Sequence, residues 1–431
     1  MKIPEILLVE SQHRPGSLAK VLTAIGECGC VVEHLNAIKR EQDKSIWEIT
    51  LELDPGQYDT VKAAIDALPN ARVLGHSDRV FDRHKGGKIR MQSRAPLNSL
   101  QELRDVYTPG VARVCLAIQA EPALARKYTA LPHTVAVITN GTAVLGLGDI
   151  GPLAGLPVME GKAALFAKLA DLSGIPILID EKDPQVLIDV ISAIAPSFGA
   201  IQLEDIKAPE CFEIENALRA RLSIPVLHDD QHGTAVVVLA ALISASRIVG
   251  RDLRQQAIGQ IGLGAAGLGI VRLLMQYGAS HVVGTDLNEN QLKMLEQMGG
   301  TRATLTDLMA RCDVVVATTG RPGLIKPEMV RPGQMVFALS NPEPEIEPRV
   351  ARERGAVFAA DGRGINNVLG FPGLFRGALD AHAPAITDAM LFAAAEAIAD
   401  CAPKGELVPD PLDRRVHDAV AAAVRRAATG G

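Results

Sequence analysis

The sequence predicts an α/β chain of several domains, built mainly on parallel sheets. Short apolar runs alternate with helical stretches over most of its 431 residues, which is the pattern of parallel strands joined by crossover helices. At roughly 150 residues per domain, this length suggests about three domains. Hydrophobic residues make up 48% of the chain and aromatic residues 3%, which indicates a globular fold with an Ala, Leu and Val core.

Composition and charge exclude several function classes. The net charge of -6 leaves no basic footprint for nucleic acid, so no nucleic-acid partner is expected. The longest uncharged apolar segment, 233–246, is shorter than the ~20 residues that span a bilayer, so we expect a buried helix and no membrane partner. No export signal is visible at the N-terminus, and the six cysteines form no C-x-x-C pair, which is typical of reduced thiols in a cytoplasmic protein.

Residues 1–82 predict a domain of their own with the order βαββαβ. A turn ending in Gly16 precedes Ser17, which we expect to cap the first helix. This order is that of a ferredoxin-like split unit. A charged, glycine-containing linker is predicted at 83–88. The predicted strands are Ile6–Glu10, Val31–Ile38, Ile46–Leu53 and Arg72–Leu74, with the second helix following the breaker Asp54-Pro55-Gly56.

The stretch Arg14-Pro15-Gly16-Ser17-Leu18 resembles the ACT family of small-molecule-sensing domains. The resemblance implies a site for a small-molecule effector, often an amino acid, lined by Arg14, Gly16 and Ser17. The alternative is an appendage that serves only for dimerisation.

Two predicted strands of the next domain, 89–232, each end in a pair of carboxylates. Strand Ala200–Leu203 leads into Glu204 and Asp205, and strand Ile224–Leu227 leads to Asp229 and Asp230 before a helix that opens at Gly233-Thr234. Ligands bind beyond the carboxyl ends of strands in open α/β sheets, so these acids are expected at a common edge. Carboxylates without cysteine favour Mg²⁺ or Mn²⁺. His228 and His232 flank the second pair, where a supporting role is expected.

Lys162 and Tyr107 are candidate acid-base residues, and each also has a non-catalytic interpretation. A helix predicted from Glu160 places Lys162 in its first turn, where the dipole disfavours the charged form, as a general base requires; the alternative is a solvated lysine. Tyr107 lies at a helix break before Pro109-Gly110. It can be interpreted either as a surface residue or as the source of a catalytic hydroxyl.

Two glycine runs of the G-x-G-x-x-G type occur. The run 146–151 is followed by Pro152 and a predicted loop at 155–157 rather than a helix, so we reject it as a cofactor site and expect a loop near substrate.

The second run lies in the context of a dinucleotide-binding domain, predicted at 233–410. Strand Gln256–Ile261 precedes Gly262, Gly264, Ala265, Ala266 and Gly267, which open a helix, and strand His281–Thr285 ends in Asp286, twenty-four residues after Gly262. This is a Rossmann fingerprint. Asp286 would accept hydrogen bonds from the ribose hydroxyls and would repel a 2′-phosphate. The sequence therefore predicts NAD rather than NADP as the cofactor. Further strands, at 314–317, 335–338 and 357–359, end near Thr318, Asn341, Asp361 and Asn367; residues 411–431 predict a C-terminal helix.

Eight motifs together resemble the malic enzymes, most closely the bacterial branch, over about residues 89–410. They are YTPGVA (107–112), TNGTAVLGLGDIG (139–151), PVMEGKAALF (157–166), LEDI (203–206), DDQHGTA (229–235), the glycine fingerprint, SNP (340–342) and NNVLGFPGLFRGALD (366–380). The resemblance implies oxidative decarboxylation of malate with NAD and Mg²⁺ or Mn²⁺.

The same resemblance assigns roles to individual residues. It implies Lys162 as the base that takes the proton of the malate C2 hydroxyl and Tyr107 as the acid that protonates C3 of enolpyruvate. It further implies Glu204, Asp205 and Asp230 as metal ligands and Asn341 and Asn367 as substrate contacts. Thr318 and Asn341 are predicted cofactor contacts because they follow strands on the nicotinamide side of the sheet. Ala143 stands where eukaryotic members have a substrate-binding arginine, so other groups must hold the malate carboxylate.

These patterns leave three alternative functions open, and they predict one type of assembly. The alternatives are a related β-decarboxylating 2-hydroxyacid dehydrogenase, an oxaloacetate decarboxylase, and a non-catalytic metabolite sensor with a vestigial catalytic body. The expected assembly is a homodimer or a higher homo-oligomer.

Overall fold

The computed structural model describes residues 3–54, 56–76, 79–144, 147–341 and 343–430. Four members of the sequence motifs above, Pro55, Leu145, Gly146 and Pro342, lie outside the described residues. The chain divides into two compact units at the boundary between Lys88 and Ile89, where the sequence placed the end of the linker.

The N-terminal unit has the predicted βαββαβ order around one four-stranded antiparallel sheet. The strand order is β2-β3-β1-β4, and the helices bury Val21, Ile25, Val61 and Ile65. Its elements are β1 (Ile3–Gln12), α1 (Ser17–Glu27), β2 (Val31–Arg40), β3 (Lys44–Leu53), α2 (Gln57–Asp66), β4 (Ala71–His76) and a short helix α3 (Arg79–His84).

Two local predictions in this unit are wrong. Ser17 is the first residue of α1 rather than its cap; Gly16 takes the cap position at φ 82°, a left-handed conformation that glycine adopts without strain. The linker predicted at 83–88 begins inside α3, because Phe81 to His84 complete a helical turn before the glycines interrupt it.

Strand β2 lies at the edge of this sheet and is exposed along nearly its whole length. Val31 and Ile38 are 64% and 54% exposed, and nine of the ten β2 residues are exposed. A long edge strand with apolar side chains and unpaired backbone groups is a surface on which another strand can pair.

The first half of the second unit is built on the parallel sheet β6-β5-β7-β8. One face of this sheet packs against α8 and α9, and the other faces the large central core of the unit. Its elements are α4 (Leu100–Val106), α5 (Val111–Ala120), α6 (Ala125–Tyr128), β5 (Thr134–Thr139), α7 (Pro152–Ala170), β6 (Ser173–Leu178), α8 (Pro184–Ile194), β7 (Ala200–Leu203), α9 (Glu210–Arg221), β8 (Val226–His228) and α10 (Asp229–Val249).

The second half carries a six-stranded parallel sheet in the order β11-β10-β9-β12-β13-β14. This is the doubly wound dinucleotide-binding order, with the switch point between β9 and β12. Its elements are β9 (Ala257–Ile261), α11 (Ala265–Gln276), β10 (His281–Thr285), α12 (Glu289–Gln297), β11 (Thr301–Arg302), α13 (Leu305–Arg311), β12 (Val314–Ala317), β13 (Met335–Ala338), α14 (Pro348–Glu353), β14 (Phe358–Asp361), α15 (Phe371–Asp380), α16 (Asp388–Cys401) and α17 (Arg414–Ala428). Short 3-10 helices occupy Pro122–Leu124, Leu131–His133, Ala195–Ser197, Leu253–Gln255, Pro327–Met329 and Asn367–Leu369.

Helix α10 joins the two sheets. Its side chains belong to one core together with residues of β5 and of β9, β12 and β13, so both sheets pack through it. Among the described residues it is the one helix long and apolar enough to cross a membrane by length and composition, and 78% of its apolar window is buried. The predicted buried helix is therefore confirmed.

Candidate active site

The two acidic strand ends meet at one edge of the first sheet, as the sequence predicted. Strands β7 and β8 are parallel neighbours with Leu203 opposite His228, so the residues that follow each strand emerge side by side. The predicted helix start is wrong: α10 begins at Asp229, so Asp229 and Asp230 lie in its first turn. Carboxylates are favoured there by the free N–H groups and the helix dipole, which explains why the helix extends past Gly233 to include them.

Glu204, Asp205 and Asp230 converge. Each offers an oxygen that lies within 4.8 Å of the others. The backbone N–H of Asp205, a residue held at φ 53°, donates to Asp230 Oδ2 at 3.0 Å. Three carboxylates at this separation repel one another unless a cation lies between them. All the donors are hard oxygens, so the residues fit Mg²⁺ or Mn²⁺.

Lys162 lies against this cluster, but not where the sequence placed it. Helix α7 begins at Pro152, so Lys162 is in its middle rather than its first turn. Its Nζ lies 2.5 Å from Asp229 Oδ2 and 3.1 Å from Glu204 Oε1, and 4.6 Å from the centre of the Phe371 ring. The helix contains Gly155 and Pro157, so the loop predicted there, and with it our reason for rejecting the first glycine run, is wrong.

The charge balance at Lys162 is opposite to the predicted one. Burial alone would lower the pKa of Lys162, but the carboxylates of Asp229 and Glu204 outweigh it and hold the pKa well above its ordinary value. Burial raises the pKa of Glu204 and of Asp229, while Lys162 opposes that rise in both. Lys162 is therefore protonated while the acids around it are uncompensated.

Asp229, one of the four acids expected at this edge, was assigned no role of its own by the sequence. It is fully buried, and its Oδ2 accepts hydrogen bonds from Lys162 and, at 2.7 Å, from Asn367 Nδ2. A Cβ at Gly233 would come within 1.9 Å of Asp229 Oδ1, so a glycine is required one turn later. The pairing of an acid with a glycine four residues on was the available signal.

The two histidines beside the acids have supporting contacts, as expected. His232 Nε2 lies 2.9 Å from Glu215 Oε2, and His228 Nε2 lies 3.6 Å from Asp230 Oδ2. Burial raises the pKa of Glu215, but the neighbouring His232 outweighs this and the net pKa is lowered. Glu215 also accepts a hydrogen bond from the His228 backbone N–H at 3.2 Å, so it ties α9 to the start of α10.

Tyr107 is not brought to the cluster within this chain. It caps the end of α4, is 67% exposed, and has no hydrogen bond or ion pair to the described residues of the cluster. Neither α4 nor α5 has a buried residue, although Leu100, Val106 and Leu116 are apolar.

A second cleft lies at the glycine fingerprint. Strand β9 ends at Ile261, Gly262 turns the chain at φ 87°, and a Cβ at Gly267 would come within 2.0 Å of Gly262 O. The cavity measures about 660 Å³. Its lining includes the predicted Gly262, Gly264, Asp286 and Thr318, together with Thr319 and Arg321.

Asp286 is held by the backbone at the end of β10. Its Oδ2 accepts from Leu263 N at 2.6 Å and its Oδ1 from Asn288 N at 2.8 Å, so the carboxylate is fixed beside the glycine turn. Ala265 and Ala266 open α11 as predicted. Asn341 follows β13, and its Nδ2 lies 3.5 Å from Gly362 O.

The predicted effector residues lie around the left-handed turn that opens α1. Arg14 is exposed, Gly16 is the cap residue and Ser17 is buried. Among the described residues no side chain caps this helix. Ser17 N donates to Arg14 O at 3.2 Å within the turn, and the N–H groups that follow it have no side-chain acceptor.

Comparison with known proteins identifies the same two halves. The family described as "Malic enzyme, N-terminal domain" matches residues 86–219, and that described as "Malic enzyme, NAD binding domain" matches 231–309 and 358–429. NAD-dependent malic enzyme 1 of Bacillus subtilis is 54% identical over 98% of this chain and 97% of its own length. The NAD-dependent malic enzyme of Geobacillus stearothermophilus is 41% identical, with 96% and 91% covered.

Solved structures agree. The malic enzyme of Pyrococcus horikoshii matches with a TM-score of 0.78 at 39% identity, over 82% of this chain and 90% of that one. The NAD-dependent malic enzyme of Thermotoga maritima matches with a TM-score of 0.76 at 38% identity, over 81% and 99%. With both family domains matched and the predicted motifs at the two clefts, this chain belongs to the malic enzyme family and carries its NAD-binding domain.

Proposed function

We propose that this protein catalyses the oxidative decarboxylation of malate to pyruvate and CO₂ with reduction of NAD. The observation that carries the proposal is the buried contact of Lys162 with Asp229 and Glu204, beside three converging carboxylates. A lysine and an acid cluster at a strand edge, next to a dinucleotide domain, supply a base and a divalent-ion site within one unit.

Glu204, Asp205 and Asp230 are the proposed ligands of Mg²⁺ or Mn²⁺. When bound there, the ion would supply positive charge as a Lewis acid and would offset the acids that raise the pKa of Lys162. Asp205 and Asp230 are prearranged for this role by the hydrogen bond between them.

Lys162 is the proposed base for the C2 hydroxyl of malate. It is oriented by Asp229, which is itself oriented by Asn367, so the ammonium nitrogen has a fixed position at the acid cluster. Asp229 thereby acts as a positioning residue. Asn367 and Asn341 offer amide N–H groups that can donate hydrogen bonds to a substrate carboxylate. The carboxylates of the acid cluster cannot do so, because they have no proton to donate.

Tyr107 is the proposed acid for C3, provided by a second copy of the chain. Its exposure, and the apolar residues of α4 and α5 that no part of the described chain buries, support a homodimer in which this helix pair lies over the partner's cleft. The site would then be complete only in the dimer.

Mixing inactive variants tests this arrangement. Lys162→Ala and Tyr107→Phe, each inactive alone, should regain up to about a quarter of wild-type activity when co-refolded, because half of the dimers are mixed and half of their sites have both groups. Co-refolding either variant with itself is the control. Absence of recovery, with mixed dimers present, would place both residues in the same chain's site.

The N-terminal unit is the proposed regulatory domain. The uncapped start of α1 at Gly16 offers N–H groups to an anionic group of an effector such as an amino-acid carboxylate, and the exposed β2 edge offers a contact with a second copy. Gly16→Val strains a turn that belongs to the N-terminal unit, because Gly16 has a φ of 82°. We expect it to abolish any response of activity to a panel of amino acids and central metabolites, with basal turnover retained; an unchanged response contradicts the assignment.

Steady-state assays separate the activity from its alternatives. With Mn²⁺ we expect NADH formation from malate and little from tartrate or isocitrate, and a preference for NAD over NADP. A related hydroxyacid dehydrogenase would prefer another acid, an oxaloacetate decarboxylase would release CO₂ without NADH, and a metabolite sensor would show no metal-dependent turnover. A cytoplasmic location stays a prediction.

A further inference from the structure

Glu345 is a fully buried carboxylate that the proposed reaction does not use. It follows β13 by seven residues and is 0% exposed. Among the described residues no lysine or arginine forms an ion pair with it. Burial of a charge without a counter-charge is costly unless hydrogen bonds satisfy it, so its retention next to the cofactor cleft needs a reason.

Four hydrogen bonds from two residues satisfy this carboxylate. Thr319 N and Thr319 Oγ1 donate to Oε1 at 2.7 and 2.8 Å. Ser340 Oγ donates to Oε1 at 2.5 Å, and Ser340 N donates to Oε2 at 3.3 Å. All four partners are donors, so Glu345 acts as an acceptor only.

The two hydroxyls are themselves oriented by backbone groups. Thr319 Oγ1 accepts from Arg321 N at 3.1 Å, and Ser340 Oγ accepts from Gly320 N at 2.7 Å. Each hydroxyl proton is thus directed at Glu345. This is the pattern of an ionised carboxylate, which accepts at both oxygens and has no proton to place.

The carboxylate lies directly behind the cofactor cleft. Thr319, which contacts it through both backbone and side chain, lines the 660 Å³ cavity together with Thr318. Both follow β12, on the opposite side of the switch point from Asp286 on β10. Since a dinucleotide crosses the sheet at the switch point with its ribose on the acidic strand end, the nicotinamide half lies towards β12 and β13.

We propose that Glu345 makes the cleft selective for the redox state of the cofactor. The nicotinamide ring of NAD⁺ carries a positive charge that NADH lacks, so a fixed buried anion behind this half of the cleft strengthens binding of NAD⁺ relative to NADH. The hydrogen bonds of Thr319 and Ser340 hold the charge in place, and the exposed Arg321 on the same loop opposes it. This inference rests on the proposed function, because it assumes that NAD occupies this cleft.

The test is the ratio of dissociation constants for NADH and NAD⁺, measured by calorimetry or fluorescence on the full-length protein. Glu345→Gln preserves shape and removes the charge, so NAD⁺ binding should weaken relative to NADH by about fivefold. Glu345→Asp keeps the charge, so both affinities should change by the same factor. ADP-ribose, which lacks the ring, reports the loop geometry alone and should follow NADH in every variant.

Two further variants keep the inference open to refutation if Glu345→Gln does not fold. Arg321→Gln removes the opposing exposed cation, so it should shift the ratio in favour of NAD⁺, by less than Glu345→Gln shifts it away because solvent screens the cation. Ser340→Ala removes one donor and retains the charge, so the ratio should stay constant. A ratio that Arg321→Gln leaves unchanged or moves towards NADH, or that Ser340→Ala moves as far as Glu345→Gln, overturns the proposal. Failure of the wild-type protein to bind either dinucleotide instead refutes the proposed function.

Discussion

The ends of β7 and β8 and the ends of β12 and β13 are two versions of the same architecture. In each, two neighbouring parallel strands deliver polar residues to one sheet edge beside a cleft. At the first edge four acids face one lysine. At the second edge one acid faces four neutral donors from Thr319 and Ser340.

The difference shows that a buried acid can serve either to bind a reacting group or to hold the backbone in place, depending on which groups surround it. The second edge is satisfied within the chain, because both oxygens of Glu345 accept hydrogen bonds from Thr319 or Ser340. The first edge is incomplete, since one ammonium group cannot balance four carboxylates. Burial raises the pKa values of Glu204 and Asp229, and against the effect of its own burial the neighbouring carboxylates raise the pKa of Lys162. The first edge lacks positive charge and is therefore suited to bind a cation. The second edge has an acid that is satisfied by hydrogen bonds, so it is suited to hold a loop in place.

The strongest test of this contrast is Lys162→Ala. Removing the Lys162 amine from the first edge should lower kcat by about a thousandfold, within the roughly 10²- to 10⁴-fold range of a general base, because malate loses its proton acceptor. NAD affinity, which depends on the second sheet, should stay within about twofold of wild type. The measurement is kcat by NADH absorbance together with the calorimetric Kd for NAD; wild-type turnover would remove Lys162 from the mechanism.

A second test concerns the adenosine side of the cofactor cleft. Asp286→Ser removes the carboxylate that faces the ribose, so the ratio of kcat/KM for NADP to that for NAD should rise by about tenfold through loss of repulsion of the 2′-phosphate. The metal dependence of turnover should not change, because the first edge is untouched. Unaltered cofactor preference would mean that Asp286 serves only the two backbone contacts with Leu263 and Asn288.

A third test measures the unbalanced charge directly. Asp230→Asn removes one carboxylate of the repelling cluster, so we expect the metal-free protein to melt about 3 °C higher than wild type while the rise in Tm on adding Mn²⁺ disappears. Glu353→Gln, at an exposed helix position, is the matched control and should change neither quantity. A metal-free Asp230→Asn protein that melts lower than wild type would show that the cluster is not repulsive.

The smallest expected effect lies away from both edges, at His417 of α17. Burial lowers the pKa of His417: its Nε2 lies 2.8 Å from Pro411 O, and its buried Nδ1 has no hydrogen-bond partner in the described part of the chain. A depressed folded-state pKa contributes stability above the unfolded pKa of ~6.5 that is lost as pH falls.

Between pH 7 and pH 5, therefore, wild-type Tm should fall by about 2 °C more than that of His417→Gln, whose amide can make the same bond without charging. Differential scanning calorimetry at the two pH values checks this. Equal losses in the two proteins would assign the acid sensitivity to the carboxylates instead.

Elements specified by local sequence were predicted well. The bounds of β10, β12 and β13 agree with the observed strands, because buried parallel strands are short apolar runs bounded by polar residues. Parallel strand order predicted the two acidic pairs at one edge, and the resemblance to malic enzymes selected Glu204, Asp205 and Asp230, which converge.

Features that depend on distant partners were missed. Lys162 was assigned a weakened charge from a helix dipole, but Asp229, sixty-seven residues away in sequence, decides its charge state. Gly155 and Pro157 indicated a loop, although Pro152 at the first helical position starts α7 before them. Asp229 and Glu345 gave little signal because their roles depend on burial, which a single acidic letter does not reveal.

The apolar helix α10 also has a consequence for synthesis of the chain. When Asp229–Val249 leaves the ribosome, its partners in the second sheet and α16, at Asp388–Cys401, have yet to be made. This apolar segment is therefore covered only by the first sheet for much of translation, and its remaining apolar surface is open to non-native contacts during that interval.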